Sequence, residues 1–112
     1  MERIVLGLIE KIKISGKKKE KEVTVRIDTG AKYNSIDKRL ASELGLGPIV
    51  RVVIIKTSNG SESRPVVRAK IEIKGKKLDC LFNLTDRAHM KYDALIGQEV
   101  LEKNFLIDPS KK

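Results

Sequence analysis

The chain is poor in the side chains that build most enzyme sites. Among 112 residues there is one cysteine, Cys80, one histidine, His89, and no tryptophan. A single cysteine excludes an intramolecular disulfide. One cysteine and one histidine also exclude the usual zinc ligand sets, and no H-E-x-x-H occurs. Cys80 lies in the apolar stretch "KLDCLFNL", where it reads as a small buried hydrophobe rather than a nucleophile. Nothing supports a Cys–His catalytic pair. No phosphate-binding G-x-x-x-x-G-K-[ST] loop is present. Neither a metal nor another cofactor is therefore expected. The aromatics are only Tyr33, Phe82, Tyr92 and Phe105, none interleaved with a basic run. Stacking platforms for single-stranded nucleic acid need more than that. No apolar run approaches the roughly 20 residues of a membrane helix. The first residues lack the basic, apolar and cleavage regions of a signal peptide. The expectation is a cytoplasmic protein without membrane contact.

What is abundant is charge. Lysine and arginine number 24 against 15 acidic residues, a net charge of +9. Such a balance favours anionic partners, whether nucleic acid, a ribosome or an acidic protein. The plainer reading is a solvated surface, since lysine and glutamate are mixed along strands and turns, as in thermophilic proteins.

The length suits one domain, residues 1–112, with a limited core. Residues 3–15 and 22–28 alternate and read as a hairpin around the charged loop 16–21. Ile36, Leu40 and Leu44 stand at helical spacing over 36–46, with Ser35 as a cap candidate and Gly45 as terminator. A β-branched run, 49–58, leads to Asn59-Gly60, a hairpin signal whose polar flanks suggest a loose tip. Pro65 should limit pairing before a strand at 66–74. Further strands follow at 76–84, 94–97 and 105–108, with a short helix at 98–104. The reading is all-β, with one or two short helices. Turns every 8–12 residues or so fit a small barrel or sandwich.

One stretch breaks the pattern. In "VRIDTGAKYNSID" (25–37), the strand ends on Asp28-Thr29-Gly30, before Ala31. By itself this tripeptide is as well an Asx turn as a site. It is also the active-site signature of aspartic proteases. There Asp supplies a carboxylate, Gly permits the tight turn, and Thr hydrogen-bonds the loop. That chemistry needs two carboxylates sharing one proton. The chain has one D-T-G, so the second must come from another copy across a two-fold axis. Two further parts stand in order. "KTSNGSESR" (56–64) can form a flap over a substrate, and "ALIG" (94–97) can thread beneath the D-T-G loop.

This order of parts resembles the retropepsins, single-domain proteases that act as dimers. More narrowly, "RIDTGAKYNSI" (26–36), "LTDRAHMKYDALIGQEVL" (84–101) and "NFLIDPSK" (104–111) resemble a bacterial and archaeal family of retropepsin-like aspartic peptidases, labelled ATP-dependent zinc proteases. The chain departs from the family in a short 44–56 region and in Gln98, where arginine is common. The zinc and ATP of the label find no residues here. The resemblance implies a small closed β-barrel of the retropepsin type. It implies a homodimeric endopeptidase acting on peptide or protein substrates. Some relatives resemble enzymes that process glutamate tails on a ribosomal protein, so an acidic substrate is implied too.

The site assignments follow. Asp28 is the candidate catalytic carboxylate, and Thr29 and Gly30 are its support. Ala31, Ser58, Asn59, Gly60, Ile96 and Gly97 are candidates for lining the substrate, and Arg87 and Lys91 for facing an acidic one. Asp86 and Arg87 are expected to form a salt bridge, and Asp108 a structural turn before Pro109. Met90 and Tyr92 read as packing residues, and His89 as an exposed loop residue. The rival reading is a non-catalytic module of the same fold that binds nucleic acid or a ribosome through its basic surface.

Overall fold

The computed structural model describes residues 2–111. Its elements in chain order are β1 (Ile4–Leu6), β2 (Ile9–Ser15), β3 (Glu20–Ile27), β4 (Asn34–Asp37), α1 (Lys38–Leu44), β5 (Ile49–Thr57), β6 (Gly60–Ile73), β7 (Lys76–Thr85), β8 (Ala94–Ile96), α2 (Gln98–Leu101) and β9 (Phe105–Ile107). Strands β2, β3, β8, β4, β7 and β6 are neighbours in that order, and β6 returns to β2 through Lys13↔Glu72, Ile14↔Ile71 and Ser15↔Lys70. The result is a six-stranded barrel, closed as the resemblance implied. Strand β5 lies outside the ring and, among the described residues, pairs with β6 alone. Strands β1 and β9 form a separate parallel pair, Ile4↔Phe105 to Leu6↔Ile107.

Alternation explains the barrel. Ile12 and Ile14 of β2 point inward, as do Val23, Val25 and Ile27 of β3 and Ala69, Ile71 and Ile73 of β6. Phe82 of β7 is fully buried among them. Each such aliphatic contributes roughly 1.5–3 kcal/mol on burial. Slipping β3 by one residue would turn all three of its apolar side chains outward, so the register Ile12↔Val23 is strongly held.

Several boundaries differ from the sequence expectation. The segment 3–15 is divided at Gly7, where the chain leaves β9 for β3 as partner. Residues 34–37 are a strand rather than the start of a helix, and all four are buried. Helix α1 therefore begins at Lys38, and its cap is Asp37, whose carboxylate accepts the Arg39 N–H. Ser35 does not cap; its hydroxyl donates to Asn83 Oδ1 at 2.8 Å. Strand β6 runs straight through Pro65, which pairs with Val52 of β5. Pairing with β7 begins only at Val66, so the missing proline N–H leaves no gap on that side. Helix α2 is shorter than expected and ends at Leu101.

Candidate active site

The D-T-G loop is the connection between β3 and β4, and those two strands are not neighbours. Strand β8 lies between them, parallel to β3 (Ile27↔Ile96) and antiparallel to β4 (Ser35↔Leu95). The loop must therefore cross the end of β8. Asp28 N–H donates to the Ile96 carbonyl at 2.9 Å, extending the β3–β8 ladder by one bond. The chain then turns. Asp28 Oδ1 accepts the Gly30 N–H at 2.9 Å, and Ala31 N–H returns to the Asp28 carbonyl at 3.2 Å. The Asx turn and the candidate site are thus one structure. The turn uses Oδ1 and orients the carboxylate. Among the described residues Oδ2 has no partner, and the Asp28 side chain is only half-buried. Thr29 and Gly30 are exposed at the tip of the loop.

The loop rests on Gly97. A Cβ there would lie 2.6 Å from both the Ala31 and Tyr33 carbonyl oxygens. Only a glycine lets the end of β8 come so near the underside of the loop. Beyond it, Gln98 N–H donates to the Ala31 carbonyl and Glu99 N–H to the Lys32 carbonyl, at 2.8 and 3.2 Å. The Gln98 side chain adds a 2.8 Å bond to the Thr29 carbonyl. Gln98 is thus a clamp on the D-T-G backbone.

Asn34 and Glu99 complete the support, and the sequence reading missed both. Asn34 is fully buried. Its Oδ1 accepts the Gly97 N–H at 2.8 Å, and its Nδ2 donates to the Leu81 carbonyl and to Glu99 Oε1 at 2.9 and 3.0 Å. Glu99 Oε1 also accepts the Leu81 N–H at 3.2 Å. Buried polar groups need partners, and an asparagine four residues past the D-T-G, in a segment otherwise bound for the core, was the available signal.

The β5–β6 hairpin has the form of a flap, but its tip is displaced. Thr57 pairs with Gly60, so the turn residues are Ser58 and Asn59. The turn is a tight two-residue one, not the looser tip expected around Asn59-Gly60. Gly60 opens β6 at φ +123°, in the region that favours glycine. The Asn59 N–H donates to Thr57 Oγ1 at 3.3 Å. Ser58, Asn59 and Gly60 are exposed.

The loop after β7 is built differently from the expectation. Asp86 pairs with Arg39 at 3.1 Å, not with Arg87. Arg87 is buried, and its Nε donates to the Tyr92 carbonyl at 2.9 Å. Its backbone N–H donates to Asp37 Oδ1 at 2.8 Å. Burial alone would raise the Asp37 pKa. The Arg87 N–H and the Arg39 side chain and N–H outweigh that and hold it below the usual 3.8. Asp37 thus ties α1, β4 and this loop together. Lys91 is exposed, with Nζ 5.7 Å from the Tyr92 ring centre. Tyr92 is half-buried, but Met90 is 57% exposed and does not pack. His89 is exposed and Asp108 closes a turn onto Ser110, both as expected. Burial pushes the Cys80 thiol up to about 12, far from a thiolate nucleophile. Among the described residues no group of three or more His, Cys, Asp or Glu is placed to hold a metal ion.

Residues 41–112 match the RimB-like family, described as the retropepsin-like aspartic endopeptidase RimB. The chain belongs to that family. The match runs from α1 to the C-terminal residues and does not include Asp28-Thr29-Gly30. Over 58 residues this RimB-like chain is 40% identical to a probable alpha-L-glutamate ligase of Shewanella pealeana, and 38% identical to one of Shewanella halifaxensis. The aligned part is 51% of this chain but 13% of each ligase, so the chain spans a small fraction of those relatives. Among solved structures it is similar to a Legionella pneumophila protein of unknown function, with TM-score 0.66, 22% identity, and 97% and 95% of the two chains covered. It also resembles EIAV protease in complex with an inhibitor, with TM-score 0.70, 17% identity and 85% of each chain covered. Simian foamy virus protease gives TM-score 0.57 at 14% identity, over 83% of this chain and 92% of that one. At these identities the structural likenesses establish the retropepsin fold.

Proposed function

We propose that the RimB-like chain is an aspartic endopeptidase that works as a homodimer. One observation carries this reading: a single Asp28 stands at the strand-to-loop junction with Oδ1 fixed by the Gly30 N–H and Oδ2 unpartnered. Half a dyad is present per chain. A two-fold axis through the D-T-G loop would bring Asp28 against the partner subunit's Asp28. Two carboxylates that close cannot both ionise, so one keeps its proton. The ionised one takes a proton from water, whose oxygen attacks the scissile carbonyl carbon. The protonated one donates to the carbonyl oxygen. Collapse of the tetrahedral species, with a proton delivered to the amine, breaks the C–N bond. Thr29 and Gly30 hold the loop, and Ala31, Ile96 and Gly97 border it. Ser58, Asn59 and Gly60 would cover an extended peptide from the hairpin. A net charge of +9 and the exposed Lys91 support an acidic protein substrate, whereas Arg87 is committed to its own loop. The protein would work in the cytoplasm, as one domain, without a cofactor.

The test is cleavage of a peptide library and of glutamate-tailed protein between pH 3 and 8 by wild type and Asp28→Asn. The substitution should lower the rate by about 10³-fold or more while leaving the melting temperature nearly unchanged. Sedimentation should give a dimer. A fully active Asp28→Asn protein would overturn the reading. No cleavage by wild type, with salt-dependent RNA binding unchanged in Asp28→Asn, would favour the rival binding module.

A further inference from the structure

On the outer wall of the barrel lies a groove that the peptidase reading does not use. It has a volume of about 730 Å³, within the range of ligand sites. It shares no residue with the D-T-G loop, β8 or the hairpin tip. Its apolar floor is formed by the half-buried Leu46 and Leu81, against the buried Ala69 and Cys80. Its rim carries Lys17, Arg68 and Lys70. None of these three cations has an ion pair or side-chain hydrogen bond among the described residues. Lys70 stands directly across from Asp79 in the β6–β7 register, yet the two form no ion pair. Some cations elsewhere on the surface are engaged, as where Lys19 and Lys21 share Glu43 and Arg39 bridges Asp37 and Asp86. A second concavity of about 590 Å³ shares Ser15, Lys70 and Asp79 with the first and extends it along β6 toward Glu72 and Lys77. The combined furrow is elongated, and its cationic, apolar-floored end is distinct from its mixed-charge end.

We propose that this furrow binds a peptide segment that carries both acidic and apolar residues. Apolar side chains would enter the floor between Leu46 and Leu81, and carboxylates would meet Lys17, Arg68 and Lys70. Leu81 stands across from Arg68 in the β6–β7 register, so an apolar and a cationic side chain share one face of the furrow, and a segment carrying both kinds of side chain would meet both. Nucleic acid fits poorly, because no aromatic lines the furrow to stack a base. Such a segment would be held away from the D-T-G loop, so the furrow recognises a protein partner independently of cleavage.

The experiment uses the full chain carrying Asp28→Asn, so that peptidase activity cannot enter the result. The probe is a fluorescein-labelled peptide, Glu-Leu-Glu-Leu-Glu-Leu, followed by anisotropy at low and at physiological salt. Arg68→Glu/Lys70→Glu should weaken binding at least tenfold. Lys11→Glu, an exposed cation on β2 outside the furrow, should change it less than twofold. Replacing the leucines of the probe by serine should also weaken binding at least tenfold. Equal loss in Lys11→Glu, or equal binding of the serine probe, would overturn the proposal in favour of general charge attraction. No measurable binding, or tighter binding of a uridine oligomer that is lost in the same double variant, would overturn it as well. Circular dichroism of each variant checks that the exposed strand substitutions leave the barrel folded. Because binding is read without catalysis, its failure leaves the peptidase reading untouched, and the reverse holds too.

Discussion

Two loops of this chain carry the candidate chemistry, and they are held in opposite ways. The D-T-G loop is bonded from below by Ile96, Gln98 and Glu99, and it rests on Gly97, whose N–H the buried Asn34 accepts. Among the described residues the Ser58-Asn59 tip is tied only to itself, through Thr57 and Gly60, on a strand, β5, that pairs along one edge. Val52 and Ile54 of that strand are 58% and 66% exposed. The difference fits two tasks. In the proposed dimer a carboxylate that meets its twin within hydrogen-bond reach needs a fixed backbone. A cover that must admit and release a chain needs few commitments.

The comparison breaks most readily at its glycines. Gly97→Ala sets a methyl against two carbonyl oxygens of the loop, and no flexible side chain can yield. The expected loss is about 3 kcal/mol or more, read as a lower denaturation midpoint and loss of cleavage. Gly60→Ala meets open space and only the strain of its φ, so about 1 kcal/mol or less should go. Equal losses at the two sites would remove the distinction. Asn34→Ala comes next. It orphans the Gly97 N–H and leaves Glu99 with fewer partners, for roughly 2–3 kcal/mol, measured by urea titration. A loss near zero would show that the floor of the loop holds without it.

Asp37, at the end of β4, gives the comparison a pH axis. Its folded pKa is depressed, so the ionised form adds stability above the unfolded value of about 3.9. That contribution fades as pH falls below it and through the folded value. Asp37→Asn should flatten this part of the stability profile, as melting temperatures from pH 6 to pH 2 would record. An unchanged slope would mean that other carboxylates carry it. The smallest effect belongs to the hairpin. Ile54→Ser should move stability by less than about 0.5 kcal/mol, because the side chain already faces solvent. A larger loss of stability, or a shift in sedimentation, would mean that β5 is covered in solution.

How much of this could be read from residues alone follows from what each residue answers to. The barrel strands were legible because alternating isoleucines and valines answer to one rule, burial on one face. The D-T-G loop and "ALIG" were legible as parts, and the structure joins them by Ile27↔Ile96 pairing. Strand β4 was not legible. "NSID" is buried on both faces, so it has no alternation, and Ile36 also fits the helical spacing of Leu40 and Leu44. Asn34, Glu99 and Asp37 escaped for a related reason. Their roles lie in partners far along the chain, and local pattern carries no record of those. The Asp86–Arg87 expectation failed because adjacent residues point apart, and each found a partner elsewhere.

The threading of β8 between β3 and β4 also sets an order of events. The clamp from Gln98 to Thr29 spans 69 residues, and that from Gly97 to Asn34 spans 63. During synthesis, Asp28 leaves the ribosome long before the strand that shapes its loop. Until then nothing separates β3 from β4, and the turn that orients the carboxylate has no floor beneath it. Contacts this distant in sequence form late and slowly. A chain built this way keeps its candidate cutting edge unformed until β8 and α2 have followed it, when its unfolded neighbours are nearest.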